Sequence, residues 1–541
     1  MNIKNIIKVG SLSLALLVGG CENFFEVKPG DMLLEKDSYS NLNEVYSNFL
    51  GLNTTLQKAA EQYVIMAELL GDNMEPTENA PTEFWEAWRF QGTNGNEAID
   101  PTIFYTIIVQ SNDFLRHVVK FNNDYPEVIE ETVYKGMVSS AMANRAWAYM
   151  TIGKFFGEAL YYDLALSSDI DLSKQKMLKF DELVDELIYF LKTGVDGVDG
   201  FNAIDWTKIL NNSDYSWNRM SINTDALISE LYLWDQNYVD AAKHLTYTLN
   251  GLGMIGKNAG PSNKFSLNET FAKGKWSNLF SGAFTETTDE SFTAVPYDFS
   301  KNQTNNLQYW FSSAGENVYY FRPTDSLVSK YENTTRFDGG KGDIYRGRNV
   351  TYGESGKQKE ILRYSLGKNS YSHDATIYIY RAAELHLMLT EALSALGDLA
   401  AADSLLNVGL ATSWDGSKLL PPFNTPMFTA NDNCLRNCLG IRGRAGVAPN
   451  YLRDFVSDDA PLERKQAVLD SLIAEESALE QAFEGKRWFT LMRMARNNNR
   501  PEMLANEIAK KFPEGERENY RTFLMNPANW FIKYDQQHVI E

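Results

Sequence analysis

The chain has 541 residues, with 51 Lys and Arg against 71 Asp and Glu, a formal charge of −20, 44% apolar and 13% aromatic residues. That is enough apolar material for a large buried core, so wholesale disorder is excluded. At roughly 150 residues per domain, the length suits three or four units or one large helical assembly. The acidity argues against a nucleic-acid partner, which requires Lys and Arg to displace counterions from phosphates. Past the amino terminus, no stretch approaches the ~18 consecutive apolar residues of a membrane span.

Lys4 and Lys8 open the chain and lead into a short apolar run, Val9 to Val18, that ends in Val18-Gly19-Gly20-Cys21. The run is too short to span a bilayer and reads as a cleavable export signal over residues 1–20. Small residues directly before a cysteine resemble the bacterial lipobox. That resemblance implies that Cys21 becomes the lipidated first residue, palmitate included; an ordinary signal peptide with an incidental cysteine is the alternative. Several acyl chains anchor stably where one alone would be marginal. Residues 21–43 are polar and turn-rich, with Pro29-Gly30-Asp31, and suit a tether.

Helical periodicity dominates 44–256. Val45, Phe49, Leu52, Leu56, Ala60, Tyr63, Ala67 and Leu70 follow steps of three and four, the stripe of a helix or helix pair. The segments 101–121, 137–156, 180–192 and 224–249 repeat the pattern. Two stretches share a finer one: Leu233-Trp234-Asp235-Gln236-Asn237-Tyr238 with Ala241, and Ala395-Leu396-Gly397-Asp398-Leu399 with Ala402. Helix, polar turn, bulky residue and then alanine resemble the tetratricopeptide hairpin, in which the alanine lets two antiparallel helices approach. The expected fold is mainly α, a tetratricopeptide-like scaffold.

From 257 to 370 the periodicity disappears. Asn, Ser, Thr and Gly become frequent while aromatics stay dense, so this part is expected to form loops and short strands packed on the scaffold. Residues 371–541 return to helix. Gly251-Leu252-Gly253-Met254-Ile255-Gly256 has the letters of a dinucleotide loop but follows a helix and precedes Pro261, so it is rejected as one. Cys434 and Cys438 can bridge in a loop or stay as two thiols.

Motifs for chemistry are absent. The five histidines, His117, His244, His373, His386 and His538, show no zinc spacing, and no G-x-S-x-G elbow or phosphate loop occurs. Asp196, Asp199 and Gly200 hint at calcium but fail the EF-hand spacing. No catalytic residue, metal or cofactor is assigned, and a binding protein is expected rather than an enzyme.

Four segments carry a family likeness. Cys21-Glu22-Asn23-Phe24-Phe25-Glu26-Val27-Lys28-Pro29 looks like the mature start of the SusD/RagB outer-membrane nutrient-binding lipoproteins of Bacteroidetes. Residues 141–156 resemble their early ALRAFAYF helix, and Tyr380-Arg381-Ala382-Ala383-Glu384-Leu385 onward resembles YRLAELYLILAEAL. Glu475 to Phe489, with Phe483-Glu484-Gly485-Lys486-Arg487-Trp488 within it, resembles their ERRxELAFEGxRWxDL segment, of which this is the FEGxRW part. Thr490 and Met492 depart from the family's usual Asp and Arg. The resemblance implies a SusD-like fold and a lipid-anchored protein on the outer face of the outer membrane. Such a protein would act as the lid of a SusC-like TonB-dependent barrel and deliver oligosaccharide; a peptide importer is the alternative. A surface hydrolase and a lid without a ligand of its own are weaker readings.

The resemblance also directs the search for a site to the loop after the first helical hairpin and to part of 276–320. Sugar C–H faces lie on aromatic planes while hydroxyls bond to Asn, Gln and Arg. The candidates are therefore Trp85, Trp88, Arg89, Gln91, Asn94, Asn96, Trp276, Tyr297, Tyr309 and Trp310.

Overall fold

The periodic segments become long helices. In a computed structural model of the chain, the described residues are 39–161, 175–210, 220–250, 267–271, 276, 279–280, 290–366, 368–410, 435 and 438–536. The signal, Cys21, nearly all of the tether, the Gly251–Gly256 motif, Cys434 and His538 lie outside them.

Helix α1 (Leu42–Leu70) is a single 29-residue helix in which every residue of the expected stripe is buried. Asn41 caps it, its side chain accepting from the Glu44 N–H. A three-residue strand, β1 (Met74–Pro76), and a short helix, α2 (Thr82–Trp88), follow. Helices α3 (Thr102–Asp124) and α4 (Glu131–Phe156) pack against α1, and α4 is buried over most of its length. Helix α5 (Phe180–Thr193) packs on α4.

The two suspected hairpins exist. Helices α6 (Thr224–Trp234) and α7 (Tyr238–Leu249) turn through Gln236 at φ 60, and the Asn237 side chain caps α7. The later pair spans Ala382–Ala395 and Leu399–Asn407. It turns through Gly397 at φ 84, with Asp398 as cap. A residue in the left-handed region followed by an Asx cap makes the same reversal twice. Ala241, Ala242, Ala401 and Ala402 are all buried where the helices meet.

The middle of the chain is irregular, as its loss of periodicity predicts. Strand β2 (Ser291–Val295), the five-residue helix α8 (Leu307–Phe311) and strand β3 (Phe321–Pro323) lie along it. β3 pairs antiparallel with β1, Met74 opposite Pro323. β2 pairs with β4 (Ile377–Arg381), which runs directly into α9 (Ala382–Ala395). The second hairpin is completed by α10 (Leu399–Asn407), and the long helix α11 (Leu462–Glu480) closes onto it.

The family-like segments at 380–385 and 483–488 are scaffold. Arg381 Nη1 donates to Glu290 Oε2 and Glu480 Oε1, each at 2.9 Å, and Arg381 Nε to Glu484 Oε2 at 2.7 Å. Glu480 also receives Arg346 at 2.9 Å and Arg444. Burial alone would raise the Glu480 carboxyl, but Arg444, Arg381 and Arg346 together hold it below the usual carboxylate range. Glu384 pairs with Lys486, and Glu391 with Arg493. Gly485 has φ 74, and a Cβ there would stand 3.1 Å from Val64 Cα, so glycine lets the FEGxRW turn press on α1. Trp488 next to it is fully buried.

Candidate functional site

β1 and β3 bring the first loop against the middle region. The pairing continues into Thr77, whose N–H donates to Tyr320 O at 2.8 Å and whose hydroxyl donates to Tyr319 O. Asn79 donates to Val318 O at 3.2 Å. Pro81 then starts α2, and Phe84 on that helix meets the rings of Trp310 at 5.6 Å and Tyr320 at 6.0 Å. Trp310 and Tyr320 lie nearly parallel, 6.4 Å apart with 25° between planes. All three rings are half-buried, anchored on the fully buried Phe321.

Tyr309, one residue along α8, meets His373 at 5.4 Å. The base beneath is rigid: Asn305 donates from its backbone to His373 O and from its side chain to Ala375 O, both at 2.7 Å. Glu61 on α1 accepts from the Asn306 N–H at 2.6 Å and its amide at 2.9 Å. Burial raises the Glu61 carboxyl, and the two bonds from Asn306 oppose the rise. Asn302, Tyr319 and His373 all hold positive φ, at 57°, 53° and 47°. Strained backbone of this kind persists where the surroundings impose it and gathers at ligand sites.

The candidates from the sequence divide. Tyr309 and Trp310 are half-exposed in this cluster. Trp85 is half-buried, edge-on to Trp88 at 5.7 Å, with the exposed Arg89 guanidinium 5.7 Å from its ring. Asn94 is exposed, and its side chain accepts from the Asp535 N–H, tying the loop to the carboxy-terminal strap. Exposed Gln91 lines a cavity of about 230 Å³ walled by Phe90, Phe523 and Phe531; none of the rings of the Phe84 cluster reaches it.

Four candidates are interior. Trp88 is 3% exposed, packs 4.7 Å from Phe512 and donates from its indole to Met74 O. Asn96 is buried, bonded to Glu83 O and Glu86, and caps the following turn. Trp276 is 1% exposed, with the Arg363 and Arg381 guanidiniums 4.7 and 5.5 Å from its ring, and donates to Thr351. Tyr297 is buried, and its hydroxyl bonds to Gln57 O. A ring or amide already covered and bonded inside the protein offers no free face to a sugar, so these four belong to the frame. Phe84 and Tyr320 fall within the two segments to which the resemblance points, though neither they nor His373 are among the candidate residues. Tyr320 and Phe84 did lie within the aromatic-dense stretches, but only their pairing across β1 and β3 marks them.

Cys438 is a buried free thiol, pushed up to about 11 by burial. Among the described residues no cluster of His, Cys, Asp and Glu could hold a metal, and no helix is long and apolar enough to cross a membrane.

The helical fold is one already known in solved structures. A surface glycan-binding protein A from Bacteroides uniformis superposes with a TM-score of 0.60 at 16% identity, covering 92% of this chain and 96% of that one. A SusD superfamily protein from Bacteroides vulgatus gives 0.58 at 14% identity, covering 91% and 96%. A laminarin-binding SusD-like protein gives 0.53 at 15%, covering 89% and 96%. At these identities the likeness is one of fold. No curated protein sequence matches the chain. The sequence profile of the SusD family matches residues 211–531, more than half the chain, and the chain belongs to that family.

Proposed function

We propose that this chain is a cell-surface, non-enzymatic lipoprotein, anchored in the outer membrane through Cys21, that captures oligosaccharide. In this reading it serves as lid and delivery subunit of a SusC-like TonB-dependent transporter. The observation that carries the proposal is the half-exposed cluster of Phe84, Trp310 and Tyr320, set by two loops on a rigid helical base. The related folds described as a surface glycan-binding protein and as laminarin-binding support the same reading.

The energetics fit transient capture. Covering about 100 Å² per aromatic ring at ~25 cal/mol/Å² contributes roughly 2.5 kcal/mol. Three rings then contribute about 7.5 kcal/mol before association costs, which corresponds to micromolar to millimolar Kd. Binding of that strength allows ligand to be handed onward.

Calorimetric titration of the protein without its signal against a glycan panel tests the site. Trp310→Ala is expected to weaken binding by at least about tenfold while folding normally; unchanged affinity removes this cluster from the site. Binding to a peptide array in place of glycans would favour a peptide importer. Membrane fractionation of Cys21→Ala tests the anchor, and retention in the outer membrane would refute lipidation there.

A further inference from the structure

A second pair of rings lies beside the cluster. Phe299 and Tyr371 are 45% and 61% exposed and meet edge to face at 5.7 Å. Both sit where the chain leaves the β2–β4 ladder: Phe299 four residues past Val295, Tyr371 six before Ile377. His373, which touches Tyr309, is two residues beyond Tyr371. Side-chain contacts and short backbone steps therefore lead from Phe299 through Tyr371, His373 and Tyr309 to Trp310 and Tyr320. Individual apolar residues on a surface are ordinary, but two large rings in mutual contact next to a third group are not.

The chemistry around them selects the occupant. Charges near the pair are matched locally, Lys301 with Asp298 at 3.3 Å and Lys368 with Asp374 at 3.0 Å. Exposed amides and hydroxyls flank the two ring groups, among them Asn302, Gln303, Thr304, Asn369 and Ser370, and the exposed carboxylate of Glu316, next to the Asn317 that bonds His373, disfavours an acidic chain. Flat C–H faces for the rings and uncharged hydroxyls for the amides are what a neutral polysaccharide presents. The ring-to-ring contacts of 5.4 to 6.4 Å are close to the length of one sugar in a chain.

We propose that Phe299 and Tyr371 form a second aromatic subsite, and that the ligand is a neutral, extended glycan chain long enough to bridge from this pair to Trp310 and Tyr320. With two residues spanning up to about 7 Å of backbone between Tyr371 and His373, the full path requires about five consecutive sugars. The inference rests on the glycan reading of the first cluster.

The test is calorimetric titration of the intact mature chain with laminari-, cello-, malto- and xylo-oligosaccharides of two to seven sugars, and with oligogalacturonates as the acidic comparison. In the neutral series that binds, affinity should rise at least about tenfold between three and six sugars. Phe299→Ala/Tyr371→Ala, both exposed, should fold as wild type by circular dichroism, bind the trisaccharide unchanged and lose the gain at six. Trp310→Ala should weaken both lengths. Equal affinity for three and six sugars, hexasaccharide binding that survives the double variant, or tighter binding of oligogalacturonates overturns the second subsite while the glycan reading stands. Binding of no series at all overturns both.

Discussion

Glu480 is the most demanding test of the scaffold. Its carboxylate lies at the meeting point of Arg346, Arg381 and Arg444, all buried, and its backbone carbonyl takes a further bond from Arg381 at 2.6 Å. Glu480→Gln keeps the shape and removes one negative charge from beneath three guanidiniums. Breaking one side of a buried ion cluster costs about 3–5 kcal/mol, because the partners remain buried and under-compensated. Urea unfolding followed by far-UV circular dichroism should show that loss at pH 7. The folded carboxyl is held below its unfolded value, near 4.3 for glutamate, so its stabilisation is fully present above that pH. It fades as pH falls toward the lower folded value, so the gap between wild type and variant should close below about pH 4. A difference under about 1 kcal/mol at pH 7, or a gap that stays constant down to pH 3, would refute the reasoning.

Glu68 should behave in the opposite sense. Burial pushes its carboxyl up to about 8, only partly offset by the Gly485 N–H at 2.8 Å. The folded state thus holds a proton that the unfolded chain has lost, and this contribution declines as pH rises from about 4.3 through 8. Glu68→Gln mimics the protonated form, so it should melt higher than wild type at pH 8.5 and close to it at pH 4; no pH dependence of the difference would sink this account. Trp88→Ala should cost about 3–5 kcal/mol because a fully packed indole leaves a cavity, whereas Trp85→Ala should melt near wild type. Equal melting temperatures for the two variants would contradict the burial assigned to Trp88.

The helices were legible because their burial repeats with the helix period: the stripe from Val45 to Leu70 is the inner face of α1. Both hairpin turns were legible too, since Gln236-Asn237 and Gly397-Asp398 combine a left-handed residue with a side-chain cap, and these are local signals. Trp276 and Tyr297 were not, because an irregular segment has no period to say which ring turns inward. Trp88 shares polar neighbours with Trp85, yet only the three-dimensional position of Phe512 buries it. The arginine and glutamate cluster is equally hidden, as Glu290, Arg381, Arg444 and Glu480 come from four distant parts of the chain. Tyr371 carries no such mark, because it lies just past the aromatic-dense run, in a short polar stretch.

The ladder of three residue pairs between β1 and β3 has a consequence for biogenesis. It joins Met74 to Pro323, so the surface that carries the aromatic cluster cannot exist on a nascent chain until more than half of it has emerged. Closing so long a loop is entropically slow. The aromatic face is therefore expected to be among the last parts to mature during export, and amino-terminal fragments should be unable to hold ligand however well their helices fold.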